Sequence, residues 1–355
     1  MGHGPIQRYD DQIYGVENMI DKTIGSVFIA LMLLICVGAC EDTKAETITI
    51  LDGKGQSVDI SLPVERIASI SSRASEIICA LGACDKVVGR DSYSFFPSTL
   101  EDVQLVAESS YKPNIELIHE LDPDLVIADS MLSDNDRKKI ESAGIPVIVE
   151  TTWDSTTVAT VVRHIGILLD KESRAEEIIS YIEEYQDIID KRTADLMEED
   201  KPKVFFEWSR PYYSMGNGTL FHNLTVAAGG INIVADEPIK YPTMDPEWLI
   251  ERDPDIIIRY DYSTEKENLT DNMEKTRDEI LSRTELSDVK AIKDNRVYIL
   301  GNPVASGIRS IVGDLYLAKW FHPDLFKDID PEAVHRELLL KFFGEELDGV
   351  YVCPR

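Results

Sequence analysis

Two periodicities of apolar residues alternate along this chain. Short runs rich in β-branched residues are separated by segments whose apolar positions recur at helical spacing. Strand, helix, strand, helix in this order predicts parallel α/β structure. From Thr47, I-T-I-L-D-G-K-G-Q-S-V-D-I reads as two alternating strands around a D-G turn, a hairpin. R-I-A-S-I-S-S from Arg66 is a strand, Ala74–Leu81 a helix closed by Gly82, and K-V-V-G-R from Lys86 the next strand, ending in the polar-aromatic loop D-S-Y-S-F-F-P. A helix in D-N-D-R-K-K-I-E-S-A-G and a strand over Ile145–Glu150 follow.

One stretch occurs twice. N-I-E-L-I-H-E-L-D-P-D-L-V-I-A starts at Asn114 and D-P-E-W-L-I-E-R-D-P-D-I-I-I-R at Asp245, so that Glu116 falls on Glu247, Pro123 on Pro254 and Asp124 on Asp255 at a constant offset of 131. Each copy predicts a short capped helix, a D-P-D turn and a buried strand. The proline cannot continue the helix and biases the residue before it to an extended conformation. A period this long is no solenoid and implies two similar α/β lobes.

Between the copies, Ile178, Ile179, Ile182, Tyr185, Ile189 and Leu196 form a stripe at helical spacing with no internal glycine or proline. A helix from about Ser173 to Met197 is expected to be a single rigid connector. The second lobe then opens with the strand K-V-F-F-E-W from Lys203 and a glycine-rich turn into a helix. Its A-A-G-G-I-N-I-V-A echoes A-L-G-A-C-D-K-V-V-G of the first lobe. The polar stretch Ser263–Asp278 reads as loop and exposed helix, V-Y-I-L-G-N from Val297 as the last strand, and the segments from Ser310 and Ala333 as helices. The expected architecture is therefore two Rossmann-like α/β lobes joined by one long α-helix. The lobes span 45–170 and 200–355, the linker 171–199 and a leader 1–40.

Composition narrows the function. A formal net charge of −29 over 355 residues repels nucleic acid and anionic lipid. No Walker loop, G-x-G-x-x-G or G-x-S-x-G is present, and the six histidines are scattered, so neither an enzyme nor a resident metal or cofactor is expected. Cys79 and Cys84 read as small buried thiols on a helix packed against a sheet, with a bridge between them as the alternative.

The apolar run Ile24–Cys40 is short for a membrane span of about 20 residues and suits a signal-peptide core beginning at Met19. V-G-A-C before a polar segment resembles the lipobox of exported lipoproteins. That implies a lipid anchor on Cys40 and a location outside the cytoplasm, an uncleaved N-terminal anchor being the alternative.

Two lobes, one long helix and such a leader together resemble the substrate-binding proteins of ATP-driven importers for ferric siderophores, haem and vitamin B12. The matching words over about 45–345 are I-A-S-I-S-S-R-A-S-E-I-I-C-A-L-G, V-V-G-R-D-S-Y-S-F-F-P, the first copy of the repeat, A-A-G-G-I-N-I-V and L-Y-L-A-K-W-F-H-P-D-L-F. The resemblance implies a monomer that captures a metal chelate between its lobes and delivers it to a permease and, through it, an ATPase. Glu116 and Glu247 stand where this family pairs with permease arginines. Tyr93, Tyr111, Tyr241 and Phe221 (or its neighbours) fall on aromatic cleft positions. Arg73 and Arg309, at strand-to-helix junctions, could neutralise an anionic chelate. Convergence of the two arginines on a small oxyanion such as molybdate is the alternative within the fold, and a surface sensor or enzyme domain the alternative outside it. No histidine–tyrosine pair for direct metal coordination can be assigned.

Overall fold

The computed structural model describes residues 46–152, 157–262 and 269–354. The leader, with Met19 and Cys40, lies outside the described residues, as does the start of the polar stretch at Ser263.

Strands β1 (Glu46–Leu51) and β2 (Ser57–Leu62) form a two-stranded sheet. β3 (Ile67–Ser69), β4 (Val87–Asp91), β5 (Gln104–Ala107), β6 (Leu125–Asp129) and β7 (Val147–Glu150) form a wholly parallel sheet ordered β5-β4-β3-β6-β7. The second large sheet holds β8 (Lys203–Glu207), β9 (Ile231–Asn232), β10 (Ile256–Asp261), β11 (Val297–Gly301) and β12 (Val352–Cys353). Its order is β12-β11-β10-β8-β9, and only β12 runs antiparallel. The run β4-β3-β6-β7 thus corresponds to β9-β8-β10-β11, so the echo in sequence is an echo in topology. In each lobe the helix before the echoing strand ends at a left-handed glycine, Gly82 (φ 78°) or Gly229 (φ 79°). The two-residue β12 is an addition to the expected strands, too short to carry a periodicity.

The repeated stretch has the same mechanics twice. The Asn114 side chain accepts from the Leu117 N–H and caps the helix Ile115–Leu121; the Asp245 side chain accepts from the Trp248 N–H and caps the helix Pro246–Arg252. Ile118 and Leu249 are the buried anchors of these helices. Asp122 and Asp253, before the prolines, are left-handed at φ 46° and 44° rather than extended as expected. Aspartate tolerates that conformation, which lets a short helix reverse directly into a strand. The next aspartate holds the turn: the Asp124 carboxylate accepts from the N–H groups of Glu65 and Arg66, and that of Asp255 from the N–H of Lys203, all at 2.8 Å.

Cys79 and Cys84 are joined in a disulfide with a Cα–Cα distance of 4.1 Å, which corrects the expectation of two thiols. The left-handed Gly82 folds the chain back at the helix end and brings the second cysteine beside the first.

The connector is a helix of 22 residues, Glu172–Thr193, followed by a separate 3-10 turn at Glu198–Asp200; the expected helix ran to Met197. At 1.5 Å per residue it is about 33 Å long. It does not join the lobes alone. Arg174 donates to the carbonyls of Ala80 (3.2 Å) and Lys341 (2.8 Å), and the Tyr181 hydroxyl donates to the carbonyl of Val334. The helix Pro331–Phe343 reaches back to the first lobe, where Phe343 packs on Phe96 with ring centroids 5.0 Å apart.

The hairpin is fastened by a buried ion pair. The Arg137 guanidinium donates to the Asp52 carboxylate at 2.7 Å and to the Val147 carbonyl at 2.8 Å, with both charged side chains out of solvent. Arg137→Met strands the Asp52 charge in the interior, and urea unfolding should show a loss of about 3–5 kcal/mol. Adding Asp52→Asn should recover most of it. A loss below about 1 kcal/mol, the range of a surface pair, would show that the pair does not hold the hairpin.

Candidate functional site

The segments that leave the C-terminal ends of the strands in both lobes meet in one cleft. Ser71 leads from β3 into the helix Ser72–Ala80, whose first turn carries Arg73. Arg73 reaches into the second lobe, donating to the Ser306 hydroxyl at 2.7 Å and to both the carbonyl and the side-chain oxygen of Asn302 at 2.8 Å. Glu76, one turn further on, receives Arg309 from the second lobe in a bidentate pair of 2.9 and 2.8 Å. The Arg309 guanidinium also lies 4.3 Å from the centre of the Phe96 ring. Both expected arginines are thus at the cleft floor, but as ties between lobes. Arg309 is 1% exposed, and Glu76 meets its charge. Arg73 and Arg309 both border a small inter-lobe pocket with Ser72, Glu76, Tyr93, Phe95, Phe96, Asn302 and Pro303.

Tyr93, Tyr111 and Tyr241 all present rings to solvent, 49%, 54% and 47% exposed, on segments that follow strands. Phe221 does not. It is buried and stacks on Phe206 with centroids 3.9 Å apart, because the helix Leu220–Ala227 packs that face onto β8. Its expected role facing the ligand is corrected to that of a support.

Around Tyr241 the second lobe carries an aromatic layer whose other residues the sequence reading did not single out. Trp208 stacks on Tyr213 (5.3 Å) and lies against Tyr241 (5.8 Å) and Tyr262 (6.4 Å), while Tyr262 meets Tyr260 edge-on at 4.7 Å. Tyr260 in turn touches Phe221 at 5.4 Å and donates to Asn302. The signal was present in W-S-R-P-Y-Y directly after the strand K-V-F-F-E, where aromatic residues crowd a strand's C-terminal end.

A buried carboxylate sets this wall. Glu207, the last residue of β8, accepts from Arg259 (2.7 Å) and from Arg283 (2.8 and 3.0 Å). It also accepts from the N–H of Tyr212 at 2.6 Å, and Tyr212 is left-handed at φ 61°, an unfavourable conformation for an aromatic residue. Ion pairs and hydrogen bond together fix the loop from which Trp208 and Tyr213 project.

On the first lobe, Asp91 ends β4 and accepts from the Ser94 hydroxyl at 2.6 Å and the Tyr93 N–H at 3.2 Å. Burial pushes its carboxyl up to about 6 against these hydrogen bonds, with the Asp129 charge adding to the rise. Burial also raises Asp129 at the end of β6. Glu116 and Glu247 are exposed, each in the first turn of its short helix. Among the described residues no group of three or more histidine, cysteine, aspartate or glutamate side chains is placed to hold a metal ion, and no helix is long and apolar enough to cross a membrane.

Residues 67–304 match the model of a known protein family, described as periplasmic binding protein. The chain belongs to that family. An uncharacterized ABC transporter substrate-binding lipoprotein, YvrC of Bacillus subtilis, is 28% identical over 82% of this chain and 90% of its own length. The vitamin B12-binding protein of Vibrio campbellii is 26% identical over 55% of this chain and 70% of its own. The solved structure of the molybdate periplasmic binding protein MolA of Haemophilus influenzae, bound to molybdate, shares the fold with a TM-score of 0.71. It is 17% identical, and the match covers 85% of this chain and 99% of that one. As in other periplasmic binding proteins, two α/β lobes with parallel sheets face one another across a cleft.

Because burial raises Asp91 above its ordinary 3.8, the folded protein keeps a proton that the unfolded chain releases between 3.8 and about 6. Its contribution to stability is complete below 3.8 and is lost as pH rises through about 6. Asp91→Asn should remove that decline, about 3 kcal/mol in the difference between variant and wild-type unfolding curves. Parallel pH profiles for the two proteins would show that Asp91 ionises as it does in solvent.

Proposed function

We propose that this periplasmic binding protein takes up a large metal chelate of the siderophore, haem or corrinoid class and delivers it to an ABC permease and its ATPase. The observation that carries this reading is the aromatic surface of the cleft. Trp208, Tyr213, Tyr241 and Tyr262 form a continuous wall on one lobe, and Tyr93 and Tyr111 stand exposed on the other. Broad aromatic faces suit a broad, partly apolar ligand, while the polar groups around them fix its orientation. The names of the Vibrio and Bacillus relatives support the same class and the transporter role.

A small oxyanion, as in the Haemophilus neighbour, is the weaker reading. It calls for guanidinium groups converging on the anion, whereas Arg309 is taken by Glu76 and Arg73 by Asn302 and Ser306. A sensor or enzyme role draws no support from the relatives, which carry names of binding proteins. Glu116 and Glu247, equivalent in the repeat and both exposed, are the proposed docking points for permease arginines. A bidentate contact at each would set the orientation of the cleft. A lipid on Cys40 would hold the protein at the outer face of the membrane.

Titrating the purified protein with cyanocobalamin, haemin, ferric enterobactin and molybdate, read by tryptophan fluorescence, tests the ligand class. One chelate should quench saturably at roughly micromolar concentration or below. Trp208→Phe should remove the part of the quench that arises at the wall, since Trp248 bonds to Glu237 and Trp320 stacks on Tyr298. A response to molybdate alone would transfer the assignment to the oxyanion reading. In a transport assay with the bound chelate, Glu116→Ala combined with Glu247→Ala should leave binding intact and abolish uptake; uptake at the wild-type rate would remove the docking assignment.

A further inference from the structure

The described arginines have characteristic partners. Arg137, Arg163, Arg174, Arg192, Arg259 and Arg283 pair with carboxylates. Arg309 pairs with Glu76, and Arg66, Arg90, Arg277 and Arg296 donate to backbone carbonyls. Arg252, 4.9 Å over the Trp248 ring, does neither, and on the aromatic wall Arg210 does neither. It is exposed, its guanidinium lies 3.7 Å above the centre of the Tyr213 ring, and its hydrogen bond goes to the Thr243 hydroxyl at 3.1 Å. Tyr213 in turn stacks on Trp208, so the guanidinium is the outer layer of the aromatic wall.

What distinguishes Arg210 is that its one hydrogen bond goes to a hydroxyl while its face lies on the aromatic wall. Here it is also held in place. Stacking on one face fixes the plane of the fork, Thr243 takes one N–H, and the loop that carries it is pinned where Tyr212 bonds to Glu207. A guanidinium has five N–H donors, so those not used by Thr243 are free to receive a carboxylate or phosphate through parallel hydrogen bonds.

We infer that Arg210 is the residue that receives an anionic substituent of the ligand, a carboxylate or phosphodiester at the edge of a chelate whose face lies on Trp208, Tyr241 and Tyr262. This rests on the chelate reading above and adds to it the charge and the place of one ligand group. It also moves the anion from the cleft floor, where Arg73 and Arg309 were expected to meet it, to the rim of the second lobe.

Two pairs of probes differ in that group: cyanocobalamin carries a phosphodiester that dicyanocobinamide lacks, and haemin carries propionates that its dimethyl ester masks. Affinities for all four are measured for the wild type, Arg210→Met and Arg210→Lys, with thermal unfolding as a check that the exposed substitution leaves the fold intact. Whichever pair the wild type binds, Arg210→Met should weaken the anionic member about tenfold and the neutral member less than twofold. Arg210→Lys should fall between, keeping the charge without the planar fork. Wild-type affinity for the anionic member should drop from 50 to 500 mM NaCl and that of Arg210→Met should not. Equal weakening of both members would mean that Arg210 acts by packing on Tyr213, and no weakening that it is idle; either overturns the inference while leaving the chelate reading in place. A wild-type protein that binds none of the four overturns both for these chelates.

Discussion

The cleft depends on an ion pair that crosses it. Glu76 and Arg309 come from different lobes, are both buried, and meet in a bidentate contact beneath the Phe96 ring. Beside them Arg73 crosses in the opposite sense to Asn302 and Ser306. Moving the lobes apart would expose or strand these charges, and stranding a buried charge costs several kcal/mol. Together with Arg174, which binds carbonyls of both lobes, the contact makes the angle between lobes a property of the packed structure as much as of the long helix. The aromatic surfaces are thereby presented at a set separation, which reduces the ordering cost that a ligand must meet on binding.

The same economy operates inside the second lobe. Tyr212 in a left-handed conformation is unfavourable by itself. It persists because Glu207, at the end of a central parallel strand, has two arginines to neutralise it and a lone pair left for the Tyr212 N–H. A buried carboxylate with fewer cations would cost more than the turn is worth, and a carboxylate with no turn to hold would have no evident reason to sit there. Charge, backbone strain and ring placement are one construction at this point in the chain.

Most of the architecture was legible in the sequence because it repeats. Helix caps at Asn114 and Asp245 and buried anchors at Ile118 and Leu249 are local features, each visible within about ten residues, whereas Asp124 and Asp255 bond to strand starts more than fifty positions away. What escaped was set by distance along the chain or by the third dimension. The pairing of Arg309 escaped because its partner lies 233 positions away at Glu76. Phe221 looked exposed because the stacking of its helix on Phe206 leaves no periodic trace. Trp208 was absorbed into the strand it follows, and the disulfide depended on a reversal at Gly82 that brings two cysteines together from a helix and a turn.

The acidity of the chain takes on a different meaning once the arginines are placed. Against a net charge of −29, long-range attraction favours cations, so an anionic ligand group has to be received where local geometry outweighs the general field. A guanidinium between a hydroxyl and an aromatic face can do so, because contact distances of about 3 Å are well inside the screening length of about 8 Å at physiological salt, while most of the carboxylates lie beyond it. The buried arginines of the floor, which the composition alone would nominate for the ligand, are spent on keeping the two lobes in register.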